Sequence, residues 1–479
     1  MNAIMVSAMQ SGAGKTVLTC AVIRALQRRG LSVAGFKCGP DYLDPMFHTR
    51  VLDAPSHNLD LFLQGDVGVR QTLGSVHANI AVIEGAMGLF DGIGGTEEAS
   101  AWQLAAREGI PVVLAVRPGG SSLTLAAQIR GLCSFRCPNV VAGIVLTACR
   151  PTLAAHLSPI IERECELPVL GYLPPMEEAS FASRHLGLVT ADEVPDLSRR
   201  VDEVARQLEQ TCDLDGLITL ACRGGSASTG GPVDPSARHA TATRASMDSA
   251  REELLLPNLP QTTTQQPAPR CRIAVARDEA FCFYYEAGLA RLEACGAELV
   301  AFSPLHDKEL PAVDALYLGG GYPELHAAEL AANEPMRRAM REAARDGMPT
   351  VAECGGFMYL QEELTDEQGA TFPMVGALPG QAASAGRLVR FGYAWLEAEK
   401  DSLLLRAGER IPVHEFHHWD STHNGTDLAA RKPTGESWRC CHATDSLHAG
   451  FPHLHFAGKL PLAERFVARA AEFGRGAWR

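Results

Sequence analysis

Short apolar runs alternate with helix-patterned stretches twice along this chain, and a segment poor in apolar residues separates the two series. In the first series, residues 3–8, 32–36, 80–83, 112–116 and 140–146 read as buried strands. Val17, Leu18, Val22, Ile23 and Leu26 recur at helical spacing within 16–27, and Arg28-Arg29-Gly30 supplies a cationic last turn and a glycine stop. Alternation of this kind dictates a parallel sheet with crossover helices. From about 223 to 270 the chain is rich in Gly, Ser, Thr, Pro, Ala and Gln, which bury too little apolar surface to offset their ordering entropy. Leu254-Leu255-Leu256 is an isolated apolar triplet inside it. Strands resume at 273–276, 299–302, 315–318 and 349–352, with helical patterns over 285–295 and 329–345. The expected fold class is α/β, with domains over 1–212 and 271–479 joined by a flexible linker over 213–270.

A chain of 479 residues, 46% hydrophobic, has enough apolar material for separate cores in each domain. Its net charge of −13 argues against non-specific nucleic-acid binding, which needs a basic surface, and leaves room for a local basic pocket. No run approaches the roughly 18 apolar residues of a membrane span, and the first residues form no basic-then-apolar leader. A cytoplasmic location with reduced thiols is the expectation. The 14 cysteines include no C-x-x-C pair, and neither Cys440-Cys441 nor Cys133 with Cys137 fits a zinc template.

The first expected strand runs into Ser11-Gly12-Ala13-Gly14-Lys15-Thr16, which opens the first helix. Gly12 and Gly14 let backbone N–H groups curl round a phosphate, Lys15 meets terminal phosphates, and the Thr16 hydroxyl can ligate Mg²⁺. Met9 stands where the full phosphate-loop pattern has its first glycine. Two acidic segments follow the second and third strands. They are Phe36-Lys37-Cys38-Gly39-Pro40-Asp41-Tyr42-Leu43-Asp44-Pro45 and Val82-Ile83-Glu84-Gly85-Ala86-Met87-Gly88-Leu89-Phe90-Asp91. Ligands of open α/β sheets sit at the carboxyl ends of strands, so Asp41, Asp44 and Glu84 are expected to converge on the phosphate loop.

In the second half, Pro349-Thr350-Val351-Ala352-Glu353-Cys354-Gly355-Gly356-Phe357 reads as strand, nucleophile elbow and helix, with cysteine in place of serine. A helix N-terminus favours the thiolate, the nucleophilic form. Gly319-Gly320-Gly321-Tyr322-Pro323 offers backbone N–H groups to an oxyanion. His453 and His455 are both candidate bases, two residues apart and so expected on one face of a strand. His414-Glu415-Phe416-His417-His418 satisfies H-E-x-x-H, yet Pro412-Val413 before it and Trp419-Asp420-Ser421 after it leave no amphipathic helix, so zinc is rejected.

These segments, with Ser183-Arg184-His185-Leu186-Gly187-Leu188 and 274–285, resemble the cobyrinate (or hydrogenobyrinate) a,c-diamide synthase family along nearly the whole chain outside the linker. The resemblance implies a dethiobiotin-synthetase-like P-loop domain followed by a class I glutamine amidotransferase, flavodoxin-like domain. It implies ATP- and glutamine-dependent amidation of two acetate groups on a corrinoid tetrapyrrole. Cys354 and His453 are then catalytic, Gly12, Gly14, Lys15, Thr16, Asp41, Asp44 and Glu84 bind nucleotide and substrate, and Thr16, Asp41 and Glu84 ligate Mg²⁺. Its partners would be the corrinoid, L-glutamine and ATP, with no nucleic acid or membrane, and a homodimer is left open. Departures are His455 where many class I amidotransferases place glutamate, Arg117-Pro118 for Asp-Ala, Thr147 for a base-associated asparagine and His418-Trp419 for Tyr-Ser. Two alternatives stand: a nickel-sirohydrochlorin a,c-diamide synthase, and a P-loop nucleotide switch with a vestigial amidotransferase domain.

Overall fold

Seven parallel strands build the first domain. The computed structural model describes residues 1–179, 194–224 and 269–477. Its first elements are β1 (Asn2–Ala8), α1 (Lys15–Arg28), β2 (Val33–Cys38), α2 (Leu43–Leu52), β3 (Ser56–Leu59), α3 (Gly65–Ser75), β4 (Ile80–Glu84), α4 (Ala101–Glu108), β5 (Val112–Val116), α5 (Leu123–Phe135), β6 (Val141–Leu146), α6 (Pro151–Cys165) and β7 (Val169–Tyr172). The sheet order is β3-β2-β4-β1-β5-β6-β7. In register, β4 pairs Glu84 with Val6 on one side and Lys37 on the other, so the loops after β1, β2 and β4 open at one carboxyl edge.

The strands β3 and β7 lie outside the expected set. Ser56–Leu59 reads as a polar turn, yet it is a buried edge strand because its polar groups have partners: Asn58 Nδ2 donates to the carbonyls of Gly39 and Asp41 at 2.8 and 2.7 Å. Beyond β7, α7 (Val194–Thr211) and α8 (Leu214–Gly224) complete the first unit. Leu214, Leu217, Leu220 and Ala221 of α8 are buried in the same core as Val201, Val204 and Leu208 of α7. The expected linker start at 213 is therefore corrected: chain to 224 packs on the first domain. Ser183–Leu188 and Leu254-Leu255-Leu256 lie outside the described residues.

The second domain centres on β8 (Cys271–Ala276), β10 (Ala297–Phe302), β11 (Ala315–Leu318), β13 (Thr350–Glu353), β22 (His442–Ala443) and β23 (Leu447–Gly450), with β9 (Phe281–Phe283) and β12 (Gly320–Gly321) paired beside it. The order is β10-β8-β11-β13-β23-β22, parallel except for the β22–β23 pair. The expected single helix over 329–345 is two, Ala327–Ala332 and Glu334–Arg345. Asn333 breaks it, turning its amide to the carbonyls of Pro304 and Asp307 at 2.8 and 2.7 Å.

Between β13 and β22 the chain makes a β-rich insertion where the sequence reading expects no strands. It contains β14 (Glu363–Thr365), β15 (Thr371–Pro373), β16 (Gln381–Ser384), β17 (Arg390–Ala398), β18 (Arg410–His417), β19 (Trp419–Ser421), β20 (Leu428–Arg431) and β21 (Ser437–Cys440), in two four-stranded sheets. The H-E-x-x-H segment falls on β18 and just past it, and no cluster of three metal-ligating side chains occurs among the described residues.

The domains meet through aromatic rings. Tyr42 of the first domain stacks on Phe283 and Tyr285 of the second, at centroid distances of 5.1 and 4.5 Å. Phe62 packs on Tyr393 and Trp395, and Tyr393 Oη donates to buried Asp60 Oδ2 at 2.6 Å. Burial pushes the Asp60 carboxyl up, and hydrogen bonds from Tyr393, Leu63 and Phe62 oppose that. Tyr393→Phe removes one donor from an enclosed carboxylate, so unfolding free energy in urea should fall by about 1–3 kcal/mol. A loss below about 0.5 kcal/mol, the level of an ordinary surface change, would mean that water satisfies Asp60.

Candidate active sites

The phosphate loop leaves β1 and turns into α1 through Gly14, which caps the helix in the left-handed region at φ +88°. Thr147, at the end of β6, braces this turn: its hydroxyl donates to the Ala13 carbonyl at 2.7 Å. Lys15 Nζ donates to the carbonyls of Gln10 and Met87, spanning the loops after β1 and β4. Burial, then the Lys37 charge, lowers the Lys15 pKa. Thr16 Oγ1 donates to Glu84 Oε1 at 2.5 Å.

Behind Thr16 lies a charge cluster. Lys37 Nζ contacts Glu84 Oε1 at 3.1 Å and also Asp44, while His48 Nε2 stands 3.7 Å from Glu84 Oε2. Burial alone would raise Glu84, but Lys37, His48 and Thr16 outweigh it and hold the carboxyl at about 2. Burial, and next the Glu84 charge, push Asp44 up to about 8 despite Lys37. Lys37 is itself raised: burial opposes its charge, but Glu84 and Asp44 prevail. One carboxylate is thus stabilised as an anion, while its neighbour holds a proton more readily than an ordinary aspartate.

Of the expected acids, Glu84 and Asp44 converge here and Asp41 does not. Asp41 is exposed, and its Oδ1 accepts the Leu43 N–H at 2.8 Å, capping the turn into α2. Of the three ligands expected from sequence, Asp41 stands apart, with Asn58 pinning the 39–41 backbone and one Asp41 oxygen capping the turn, while Thr16 and Glu84 touch each other. These two suit Mg²⁺, which takes one or two carboxylates beside phosphates and water, and buried Glu84 Oε2 makes no hydrogen bond of its own. Lys37 and His48 are functional candidates that sequence reasoning passed over. The available signal was a lysine inside an otherwise apolar strand.

The second site forms where β13 meets the short helix Gly355–Leu360. Cys354 sits at the elbow with φ +48° and ψ −104°, backbone that a side chain adopts only under constraint. Its N–H donates to the Gly450 carbonyl at 2.8 Å, and the Gly356 N–H donates to the Gly319 carbonyl at 3.0 Å. A Cβ on Gly356 would fall 2.3 Å from the Leu318 carbonyl oxygen, so the elbow requires glycine there. Gly319 is not a free donor in the expected oxyanion loop, since its N–H donates to Tyr284 Oη at 2.8 Å. Gly321 N remains against the elbow, 3.0 Å from where a Gly355 Cβ would stand, and the Gly355 N–H opens the helix.

The two histidines part company. His453 Nδ1 lies 3.7 Å from Glu353 Oε2, and Glu353 is held by the Leu454 N–H at 3.1 Å and the Tyr317 hydroxyl at 3.3 Å. Burial would lower His453, but hydrogen bonding and charge from Cys354 and Glu353 raise it to about 10. His455 instead stacks on Tyr285 at 4.7 Å, and burial holds it down at about 3. They do not share a strand face, because 451–456 is irregular apart from one bridge between His453 and His414. The acid that faces His453 is the residue before the nucleophile, and His455 takes the usual glutamate position. Tyr42 reaches from the first domain to within 5.2 Å of the His453 ring. Glu353→Gln removes a charge that keeps the proton on His453, so histidine NMR should find its titration at least about one pH unit lower. An unchanged titration would remove Glu353 from this role.

Comparisons with known proteins assign a family to each domain. Residues 4–188 match the CobQ/CobB/MinD/ParA nucleotide binding domain, and residues 272–461 match the CobB/CobQ-like glutamine amidotransferase domain. Cobyrinate a,c-diamide synthases align over nearly the full length of both chains. That of Salmonella typhimurium is 37% identical, covering 98% of each chain. Those of Clostridium tetani and Clostridium acetobutylicum are 34% and 35% identical, covering 98% of this chain and 100% of theirs. With a phosphate loop in one domain and a Cys354–His453 pair in the other, this chain belongs to the cobyrinate a,c-diamide synthase family.

Proposed function

We propose that this protein uses ATP and glutamine to convert the a and c acetate carboxylates of cobyrinate, or of its cobalt-free counterpart hydrogenobyrinate, to amides. The observation that carries this reading is the joint between its centres. Tyr42 stands between Asp41 and Asp44 in sequence, two residues before the Asp44 that contacts Lys37, and its ring lies against His453. Nitrogen is therefore released next to the edge where an acid is activated.

A carboxylate resists ammonia because oxide is its leaving group. One substrate carboxylate oxygen attacks the γ-phosphorus of ATP, ADP leaves, and an acyl phosphate forms. Lys15 and the N-terminus of α1 neutralise the growing phosphate charge, where catalysis is chiefly positioning and electrostatics. Mg²⁺ held by Thr16 and Glu84 would add charge neutralisation at the phosphates. Lys37 keeps Glu84 anionic, and Asp44 and Asp41 line the substrate side. In the other centre, the Cys354 thiolate attacks the glutamine amide carbon, His453 protonates the departing ammonia, and water then releases glutamate from the thioester. Glu353 orients and charges His453. Ammonia attacks the acyl phosphate and inorganic phosphate leaves. A cytoplasmic setting fits a reduced Cys354, and the acidic chain disfavours nucleic acid.

The names of the relatives favour cobyrinate over nickel-sirohydrochlorin. A nucleotide switch with a vestigial second domain is disfavoured by the His453–Glu353 pairing, which has no purpose without thiol chemistry. Incubating the enzyme with ATP, Mg²⁺, glutamine and each macrocycle in turn, followed by mass spectrometry, should show two amide-for-hydroxyl exchanges on cobyrinate or hydrogenobyrinate. Exchange on nickel-sirohydrochlorin alone would reassign the substrate. Cys354→Ser should abolish glutamine-dependent amidation and spare the reaction with added ammonia. Loss of both in a folded variant would contradict the division of labour. Lys15→Ala should remove amidation with either nitrogen source, and unchanged ammonia-dependent turnover would rule out the phosphate-loop role.

A further inference from the structure

The β17–β18 hairpin carries an aromatic stripe that begins beneath the first domain and ends in solvent. Its cross-strand pairs on that face are Trp395 with Pro412, Tyr393 with His414, and Phe391 with Phe416. The opposite face, including Ala394, Leu396, Ile411 and Val413, is buried in the core of the second domain. Trp395 and Tyr393 are covered by Phe62 and Asp60. The last pair has no such cover: Phe391 is 57% exposed and Phe416 38%, with their rings edge to face at 5.6 Å. His418 lies 5.8 Å from Phe416, and Leu388, also exposed, leads into the strand.

The Tyr393–His414 pair of this stripe touches chain from both reactive centres. Tyr393 Oη is 3.7 Å from where a Gly39 Cβ would stand, so the stripe passes the loop that carries Asp41 and Asp44. The neighbouring His414 exchanges backbone hydrogen bonds with His453, at 2.8 and 3.3 Å. Phe391 and Phe416 come next, roughly 7 Å farther along the strands. Exposed Arg387, four residues before Phe391 in the chain leading into β17, has no ion-pair partner among the described residues, whereas Arg390 belongs to the opposite face with Ala394 and lies over Trp438 and near Glu415 and Glu436. An uncovered apolar step continuous with a domain interface marks a binding surface rather than an accident of composition.

Resting on the function proposed above, we propose that Phe391 and Phe416 form the platform for the broad apolar face of the tetrapyrrole macrocycle, with Arg387 receiving one of its peripheral carboxylates. The pairing is chemical: a wide hydrocarbon ring edged with acids meets an aromatic step edged with a guanidinium. Rings against rings supply area and a preferred geometry, and a fork of N–H donors suits a carboxylate. The platform holds the macrocycle body, so the reacting acetate projects toward Lys37 and Glu84.

The test uses the full chain and cobyrinate, whose visible absorbance reports binding. The double variant Phe391→Ala, Phe416→Ala should raise both Kd and the macrocycle KM at least about tenfold, far more than it changes KM for ATP or glutamine. The Phe391→Tyr, Phe416→Tyr control should restore most of the affinity, and Arg387→Ala should weaken binding less than the double alanine variant. Tight cobyrinate binding that the double variant retains would overturn the platform while leaving the function reading intact. Failure of the unaltered protein to bind or amidate cobyrinate would overturn both. If the double variant dissociates an oligomer in sedimentation velocity with KM unchanged, the step is a contact between copies and the platform is wrong.

Discussion

Tyr42 is the contact on which both halves of this chain depend. It comes from the loop after β2, stacks between Phe283 and Tyr285, and leans on the ring of His453. A stacked pair of buried aromatics contributes about 0.5–1.5 kcal/mol beyond its area, so three such contacts fix an orientation as well as a proximity. The requirement is chemical. Ammonia is small and neutral only while unprotonated, and an acyl phosphate is exposed to water, so the two centres work as one only when the gap between them stays closed. The neighbouring contacts point the same way: Tyr285 Oη donates to the Pro40 carbonyl at 3.2 Å, and Tyr393 anchors on Asp60.

Electrostatics divides labour within each centre. In the first, Lys37 contacts both Glu84 and Asp44 and holds Glu84 ionised, while burial and the Glu84 charge raise Asp44. That arrangement keeps an oxygen ligand available beside Thr16 while limiting net negative charge where phosphates must bind. In the second, a buried imidazole that burial alone would neutralise retains its proton because Cys354 and Glu353 face it, whereas His455, without such partners, is neutral. The same residue type two positions apart takes opposite charge states, and environment alone decides between them.

Those features with a local cause were legible in the sequence. Gly14, Lys15 and Thr16 follow a strand and open a helix, and Cys354 lies between a strand and two glycines, so chain order alone places them. Glu353, Lys37 and Tyr42 were not assigned because their roles depend on pairing between distant strands: Lys37 meets Glu84 only through the β2–β4 register. Asp41 shows the converse limit, since proximity in sequence to Asp44 says nothing of the turn in which one of its carboxylate oxygens caps Leu43. The helix Leu214–Gly224 carried a readable pattern in Leu214, Leu217, Leu220 and Ala221, but the low-complexity stretch behind it drew the boundary too early. In the insertion from β14 to β21, six strands of three or four residues are too short for periodicity to assign, while the alternation along β17 and β18 was passed over.

The nucleophile and its supporting acid are consecutive residues, Glu353 ending a central strand and Cys354 forming the elbow after it, whereas the imidazole arrives on irregular chain tied to β18. Thiol and carboxylate consequently cannot drift far apart, because a single peptide link joins them. Any idling of nitrogen release needs only a small swing of one ring, and the tyrosine resting on that ring belongs to the domain that binds the acceptor.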